Sequence, residues 1–437
     1  MSGNRGPSLS RWAWFSLFLG AAIVLMADAS RYLPPTGEKY VDYPALPSSD
    51  LLPSFNAAHA LLAGRNPYRD ERLVVRDPYA LSRGGDAGVT YLYPPSHAVL
   101  YVPVVLLVGR DFGQAARVHF FASLVLLAVL AGAVVRVLGL LQPIELGLQL
   151  ALAPTVAFLI GLNPGAQLGL ERGQSDLITA TFCWGAVLAF LRGAPATASF
   201  LAVASALLKG YGALFAAGLL WLLFRRTTAR ASLAGAGLAL VLLLAPVAHL
   251  VPDAFAAYGV REAMFWPGWT NQGFSNLAFV LLHGHADAAR FAMAATAAAI
   301  AVACWLRLRR VLRNGGSDAQ RALWLTLFAT ASLAVPIAYS SNSIAYNCVL
   351  VLPGALVLVL GQDALLERRS QTAAACLGVS LALALFTMLS FSVHRAFGLR
   401  YGHYELPLHA VGLAVLLAVI AGKSLAGLRG PRGHVEL

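Results

Sequence analysis

From residue 11 onward the chain is a succession of long Leu-, Ala- and Val-rich runs separated by short polar segments. That pattern decides its solvent before anything else. A run of about 20 apolar residues has the length of one helical crossing of a bilayer. In lipid only helices and closed barrels satisfy every backbone group, and these runs lack the polar/apolar alternation of outer-membrane strands, which excludes a barrel. Composition agrees: 58% of the residues are hydrophobic and 12% charged, where a soluble chain carries about 25% charged residues. The expected fold is all-α and polytopic, one integral membrane domain over residues 1–437 with about 10 to 12 transmembrane helices.

Candidate spans cover 11–27, 96–109, 115–136, 145–162, 175–192, 198–224, 231–251, 286–306, 322–340, 344–361, 372–391 and 408–425. The net charge of +12 could point to nucleic acid, but its distribution argues otherwise. Arg225, Arg226 and Arg230 form one cluster, Arg307, Arg309, Arg310 and Arg313 another, and Glu367-Arg368-Arg369 and Lys423, Arg429 and Arg432 follow. Each sits at the end of an apolar run, as the positive-inside rule expects of cytoplasmic loops. No nucleic-acid partner is expected, and the basic clusters read as topology determinants with some attraction to anionic membrane lipids. Both termini are then cytoplasmic, with an even number of crossings. Residues Arg11–Met26 resemble a signal peptide, but the many later spans favour an uncleaved first helix. The cysteines Cys183, Cys304, Cys348 and Cys376 all lie in apolar runs and read as small buried core residues.

Two runs are irregular. The stretch 96–109 is short enough to be re-entrant, and Lys209-Gly210-Tyr211-Gly212 interrupts 198–224, so that run can be two half-helices. If both irregularities hold, the segment 163–174 shares a face with the first outer loop; if neither does, it lies on the cytoplasmic side. The first version is favoured because it gathers the polar motifs.

That outer loop, 28–95, holds eight of the 20 acidic residues of the chain, a concentration that marks it as the place for chemistry. Ser49-Asp50 precedes an amphipathic pattern, Ala57-Ala58-His59-Ala60-Leu61-Leu62, and Gly64-Arg65-Asn66-Pro67-Tyr68 ends it, with Gly64 as the helix stop. Local sequence admits Asp50 either as a helix N-cap or as a reactive carboxylate. Asp28 and Asp42 are its rivals. Tyr91-Leu92-Tyr93-Pro94-Pro95-Ser96-His97 leads into the next run: the prolines force an extended approach, and the tyrosines suit an interface.

Glu171-Arg172-Gly173-Gln174-Ser175-Asp176 is the densest polar cluster beside a span. Glu171 and Arg172 either neutralise one another or leave Arg172 for a phosphate, with Gln174 or Asp176 orienting a hydroxyl-rich ligand. Lys209 lies mid-run, where a buried lysine needs an anion: a lipid phosphate, or Asp176 or Glu171. The second outer loop, 252–275, carries Trp266-Pro267-Gly268-Trp269-Thr270-Asn271-Gln272-Gly273, whose aromatic faces and amides suit sugars as well as an interface. No metal-ligating cluster, P-loop, catalytic triad or nucleotide fingerprint is present in the sequence, and no cofactor is expected. An enzyme outside the cytoplasm then needs a pre-activated substrate delivered by the membrane.

In this order the motifs resemble the polytopic GT-C glycosyltransferases and, within them, glycosyltransferase family 87, which includes bacterial mannosyltransferases using polyprenyl-phosphate mannose. The matching pattern is Asp50, Ala57-Ala58 with Leu61-Leu62, Gly64 to Tyr68, Tyr93-Pro94-Pro95, Arg172-Gly173-Gln174, Lys209-Gly210-Tyr211 and Asn271-Gln272-Gly273. The resemblance implies transfer of a sugar, mannose by family default, from a polyprenyl-phosphate donor to a lipid or glycan acceptor. It implies Asp50 as general base, Lys209 and Arg172 on the donor phosphate, and Asn66, Tyr68, Tyr93, His97, Glu171, Gln174, Asp176, Asn271 and Gln272 around the substrates. Ala-, Arg- and Gly-rich usage fits a bacterial plasma membrane, the active site facing outside the cytoplasm.

Two positions depart from the family pattern. Its late Ser-Pro-x-Ser-Trp-x-His-His region is here Tyr339-Ser340-Ser341-Asn342-Ser343-Ile344-Ala345-Tyr346-Asn347, and Gly212 stands where proline is expected. The rival reading is a transporter or flippase. Transporters show broken helices paired between two halves, whereas intramembrane charge here is chiefly Lys209. A non-catalytic scaffold predicts that Asp50 and Lys209 are replaceable. A glycan polymerase or ligase predicts essential outer-loop groups such as His394-Arg395 or His403.

Overall fold

The computed structural model describes residues 50–69, 75–76, 88–89, 91, 93–141, 146–161, 163, 166, 169–170, 173–224, 227–263, 286–340, 345–360, 400–401, 404–405 and 408–426. The expected spans at 11–27 and 372–391 and much of the first outer loop lie outside them. The helices are Leu52–Leu62 (α1), Pro95–Val108 (α2), Phe112–Leu141 (α3), Leu146–Gly161 (α4), Asp176–Leu191 (α5), Pro195–Lys209 (α6), Ala213–Leu223 (α7), Ala229–Ala239 (α8), Val251–Ala263 (α9), Ala286–Arg313 (α10), Asp318–Tyr339 (α11), Leu352–Leu360 (α12) and Leu408–Ala426 (α13). Two antiparallel ladders of two residues per strand, Val75–Arg76 with Gly88–Val89 and Arg400–Tyr401 with Tyr404–Glu405, are the sheet among the described residues. The protein is an all-α, polytopic assembly, as its apolar runs require.

Four stretches among the described residues are long and apolar enough to cross a membrane: Phe112–Leu141, Ala229–Tyr258, Asp287–Arg313 and Asp318–Tyr339. Their outer surfaces stay apolar, with Phe121, Val125, Val129, Val241 and Val302 exposed. In water such a surface would aggregate; in lipid it is the solvated face. Because lipid is as apolar as leucine, helices associate there by close packing rather than by burial from water. The core accordingly interleaves Leu and Val with Ala and Gly. Trp184 is fully buried in it and donates its indole N–H to the Leu350 carbonyl at 3.2 Å, pinning α5 to the 3-10 turn Ala345–Leu350. The hairpin of α10 and α11 turns at Gly315-Gly316 and restarts with a capping box in which Ser317 and Gln320 satisfy each other's backbone N–H groups.

The irregularities carry the functional information. The run 198–224 is two half-helices, α6 ending at Lys209 and α7 beginning at Ala213. Helix α2 has 14 residues, about 21 Å at 1.5 Å per residue, against a hydrocarbon thickness of about 30 Å.

Two expected spans need correction. The stretch 231–251 is not one regular helix: α8 passes through a π turn at Leu240–Leu244 and a 3-10 turn at Ala245–Leu250, then continues as α9 into the segment read as loop. Pro246 and Pro252 lack the N–H groups that a regular ladder needs, and the local rewinding accommodates them. Likewise 344–361 is a 3-10 turn followed by nine-residue α12, restarted where Pro353 is tolerated in a first turn.

Gly235 of α8 lies directly against the backbone of Ala196 at the start of α6, so that a Cβ there collides with the Ala196 carbonyl, whereas a Cβ at Gly237 meets nothing within 4 Å. Overpacking of this kind costs about 1–3 kcal/mol. Gly235→Ala is therefore expected to lower the melting temperature of the detergent-purified protein. Gly237→Ala is expected to leave it unchanged or raise it, since alanine gains up to about 1 kcal/mol over glycine in a helix.

Candidate active site

Asp50 is buried, 8% exposed, at the turn that leads into α1. The N-cap position of that helix falls on Leu51. The Asp50 carboxylate instead receives the Gln174 side-chain N–H, Nε2 to Oδ2 at 2.5 Å. This contact joins segments 124 residues apart and puts the first outer loop beside the 163–174 segment, the arrangement favoured on sequence grounds.

Local structure explains how each group arrives. α1 buries Ser54, Phe55, Ala57, Ala58 and Ala60, and its alanines let it lie close on α2, whose buried face carries Ser96, His97, Ala98 and Tyr101. After Leu62 the chain turns at Gly64, with Gly64 N–H bonded to the Leu61 carbonyl and Arg65 N–H to that of Ala60, a Schellman closure as the sequence predicts. Gln174 is presented in the same way. Gly173 has φ +71°, a left-handed conformation that a side chain disfavours, and the Gln174 N–H closes onto the Gly169 carbonyl at 2.8 Å. Lys209 is the last residue of α6, stopped by Gly210 at φ +76°.

Gln174 is the junction. Its Oε1 accepts from Lys209 Nζ at 3.0 Å while its Nε2 serves Asp50. Lys209 also pairs with Asp176 at 2.5 Å, both side chains almost fully buried, and its ammonium lies 5.7 Å from the Tyr93 ring centre and 5.8 Å from that of Tyr211. The pair is well placed for its helices: a cation at the C-terminus of α6 and an anion in the first turn of α5 both oppose the local dipole charge. The Tyr93 hydroxyl is within 3.2 Å of Gln174 Nε2. A narrow crevice opens here, lined by Gln174 and Asp176 on its polar side and by Ala166, Leu170, Leu177 and Val349 on the other.

Behind this first layer His97 links three helices. Its Nδ1 is 3.2 Å from both Ser54 Oγ and Tyr91 Oη, its Nε2 is 2.7 Å from Ser175 Oγ, and its ring stacks on Tyr93 at 4.5 Å. With 2% exposure it cannot touch a substrate without rearrangement. Ser96 donates to the Leu207 carbonyl and ties α2 to α6.

Asn66 and Tyr68 form a brace. Asn66 donates to Asp253 Oδ2 at 2.7 Å and accepts the Tyr68 N–H at 2.9 Å, and Arg69 reaches Asp253 Oδ1 at 2.7 Å. The Tyr68 hydroxyl donates to the Tyr93 carbonyl at 2.5 Å. Burial pushes both the Tyr68 and Tyr91 hydroxyls to higher pKa, and the Asp253 charge adds to this at Tyr68, so both remain donors.

Asp50, Tyr93, His97, Gln174, Asp176 and Lys209 are thus brought together, with Asn66 and Tyr68 adjoining. Glu171, Arg172, Asn271 and Gln272 lie outside the described residues. Ser54 and Asp253 are the members that sequence reading missed. Ser54 is an ordinary helix serine, and Asp253 offers no signal beyond being an acid at the end of an apolar run. Among the described residues no group of three or more His, Cys, Asp or Glu side chains is placed to hold a metal. The arrangement offers a buried carboxylate, a fixed ammonium and an amide between them, and the amide borders a narrow crevice.

The sequence model of glycosyltransferase family 87 matches residues 91–336, more than half of the chain. The protein belongs to this family, and it is a membrane glycosyltransferase. Gln174, Asp176 and Lys209 lie inside the matched segment and Asp50 before it. Two crystal structures of ArnT from Cupriavidus metallidurans are similar to the chain. The apo form shows 13% identity and a TM-score of 0.43, covering 94% of this chain and 77% of that one. The form bound to undecaprenyl phosphate shows 14% and 0.42, covering 94% and 78%. No curated protein matches the chain.

Gly212, where the resemblance leads to the expectation of proline, packs so closely on Ser205 that a Cβ would collide with its hydroxyl oxygen.

Removing one member of a buried ion pair leaves the other uncompensated, at a cost of about 3–5 kcal/mol. Lys209→Met is expected to destabilise the protein by that order. The double variant Lys209→Met/Asp176→Leu should recover most of the loss, as read by thermal unfolding in a double-mutant cycle.

Proposed function

We propose that the protein transfers a sugar from a polyprenyl-phosphate donor to a lipid or glycan acceptor on the extracytoplasmic face of a bacterial plasma membrane, with Asp50 as general base. The observation that carries this reading is the contact of the Asp50 carboxylate with the Gln174–Lys209–Asp176 cluster. It joins a buried carboxylate through one amide to a buried cation, which supports reading the carboxylate as the base. Mannose, the family default, is the first sugar to test.

In this mechanism Asp50 takes the proton of the acceptor hydroxyl as its oxygen attacks the anomeric carbon. The bond to the donor phosphate breaks, the anomeric centre inverts, and the phosphate departs on its lipid. A phosphate leaving group needs electrostatic help more than protonation. Lys209 supplies it from a position set by Asp176 and Gln174, so that no reorganisation is needed when charge develops. Arg172, two residues before Gln174, is the second cation of the reading. Tyr93 lines the site beside the ammonium, while Asn66, Tyr68 and His97 hold the outer loop and Tyr93 in place.

General-base catalysis is worth about 10²–10⁴-fold. In membranes supplied with radiolabelled polyprenyl-phosphate mannose, Asp50→Asn is expected to lower incorporation into endogenous lipid by at least about 10²-fold while inserting and folding normally. Equal incorporation by both forms would remove Asp50 from the chemistry.

A further inference from the structure

We propose that Gln174 is a positioning residue, an amide coupler that orients the Asp50 carboxylate against the Lys209 ammonium, rather than a ligand for a substrate hydroxyl. The inference rests on the reading of Asp50 as the base.

The chemistry of the two neighbours determines which way the amide points. An ammonium can only donate and an ionised carboxylate can only accept. The carbonyl oxygen must therefore face Lys209 and the NH₂ must face Asp50, as the 3.0 Å and 2.5 Å contacts have it. No charged side chain could serve both: a carboxylate there would oppose Asp50, and a cation would oppose Lys209. Gln174 is 4% exposed, with both polar atoms engaged on protein partners, so it has little to offer an incoming sugar. Its surroundings hold it in place from three sides. The Gly173 turn sets its backbone, and Asp176 fixes the ammonium it accepts from. The Tyr93 hydroxyl meets its amide, and Tyr93 is itself stacked on His97 and held at its carbonyl by Tyr68.

For a base, this arrangement directs one oxygen of Asp50 at a fixed donor, which defines where the other can receive a proton.

The test uses the full-length protein in nanodiscs. Gln174→Glu keeps an acceptor for Lys209 and sets a second carboxylate against Asp50, so that the two must share a proton. The acid limb of kcat/KM is expected to move up by about 1–2 pH units. Gln174→Met keeps the length and loses the donor. It is expected to lower kcat by about 10–100-fold, the cost of a misplaced catalytic group, with the donor KM within about twofold of wild type.

A readout independent of turnover is the melting temperature across pH 5–8. A shared proton is bound more tightly in the folded state, so stability falls as pH rises. The deficit of Gln174→Glu against wild type should grow with pH and disappear in an Asp50→Asn background, where the asparagine can donate. An unshifted pH profile in Gln174→Glu, a KM effect without a kcat effect in Gln174→Met, or a melting deficit indifferent to pH would each overturn the proposal. An Asp50→Asn enzyme that retains activity would instead bring down the general-base reading, and this inference with it. An inactive Asp50→Asn beside an unshifted Gln174→Glu removes Gln174 alone.

Discussion

The buried pair of Lys209 and Asp176 is the constraint around which the site is organised. Two ions removed from water cost several kcal/mol each, and their attraction repays this only where geometry is close and the remaining donors and acceptors are met. Here the ammonium has Asp176 at 2.5 Å, the Gln174 carbonyl at 3.0 Å and two tyrosine rings near 6 Å. Helix ends supply the rest. Ending α6 at Lys209 exposes carbonyl dipoles beside the cation, and starting α5 at Asp176 exposes N–H dipoles beside the anion. The break at Gly210 is therefore part of the electrostatics: a helix running unbroken through 198–224 would bury the lysine without such a terminus.

The outer loop is anchored to that cluster with graded strength. At its inner end Asp50 and Ser54 are buried against Gln174 and His97. At its outer end Arg69, 75% exposed, pairs with Asp253. Solvent screening leaves an exposed pair of this kind little net worth. Asn66, with its donor and acceptor both used inside the brace, and Tyr68, bonded to the Tyr93 carbonyl, hold the middle of the loop. The Gly64-to-Tyr68 motif thus acts at one remove, by holding the chain that carries Asp50.

Much of this was legible in the sequence because the physics involved is local. Apolar run length announces membrane helices, the Lys209-Gly210 break announces a half-helix, and Gly64 announces the end of α1. Local reading was least informative where one residue type serves several roles. Asp50 reads locally either as a helix cap or as a reactive carboxylate, and its hydrogen-bond partner, Gln174, lies 124 residues away, where no local pattern points to it. The family resemblance places Asn66 and Tyr68 around the substrates, whereas in the fold Asp253, far along the chain, engages the Asn66 amide. The span at 231–251 reads as a single apolar run, with Pro246 inside it and Pro252 just after it. Neither the rewinding at Leu240–Leu250 nor the ladder at Val75–Arg76 has a composition that announces it.

A last consequence concerns charge. Counted by side chains, Asp50, Asp176 and Lys209 sum to one net negative charge. The backbone alters the sum. Ser54 lies in the first turn of α1, His97 in that of α2, and Ser175 is the N-cap of α5, and the three are joined by hydrogen bonds through the His97 ring. Three helix N-termini therefore meet at one point, each bearing about half a positive elementary charge. The C-terminus of α6 is tied to the same place by Ser96 and Leu207, and its opposing half-charge faces Lys209. Backbone dipoles of this kind persist whatever the protonation of the side chains. The short helices, each too short to be an ordinary span, are what bring those ends to one level. The half-helix at Lys209, the 14-residue α2 and the loop helix α1 thus bring N-termini and one C-terminus to a single cluster, where the positive ends outnumber the negative one.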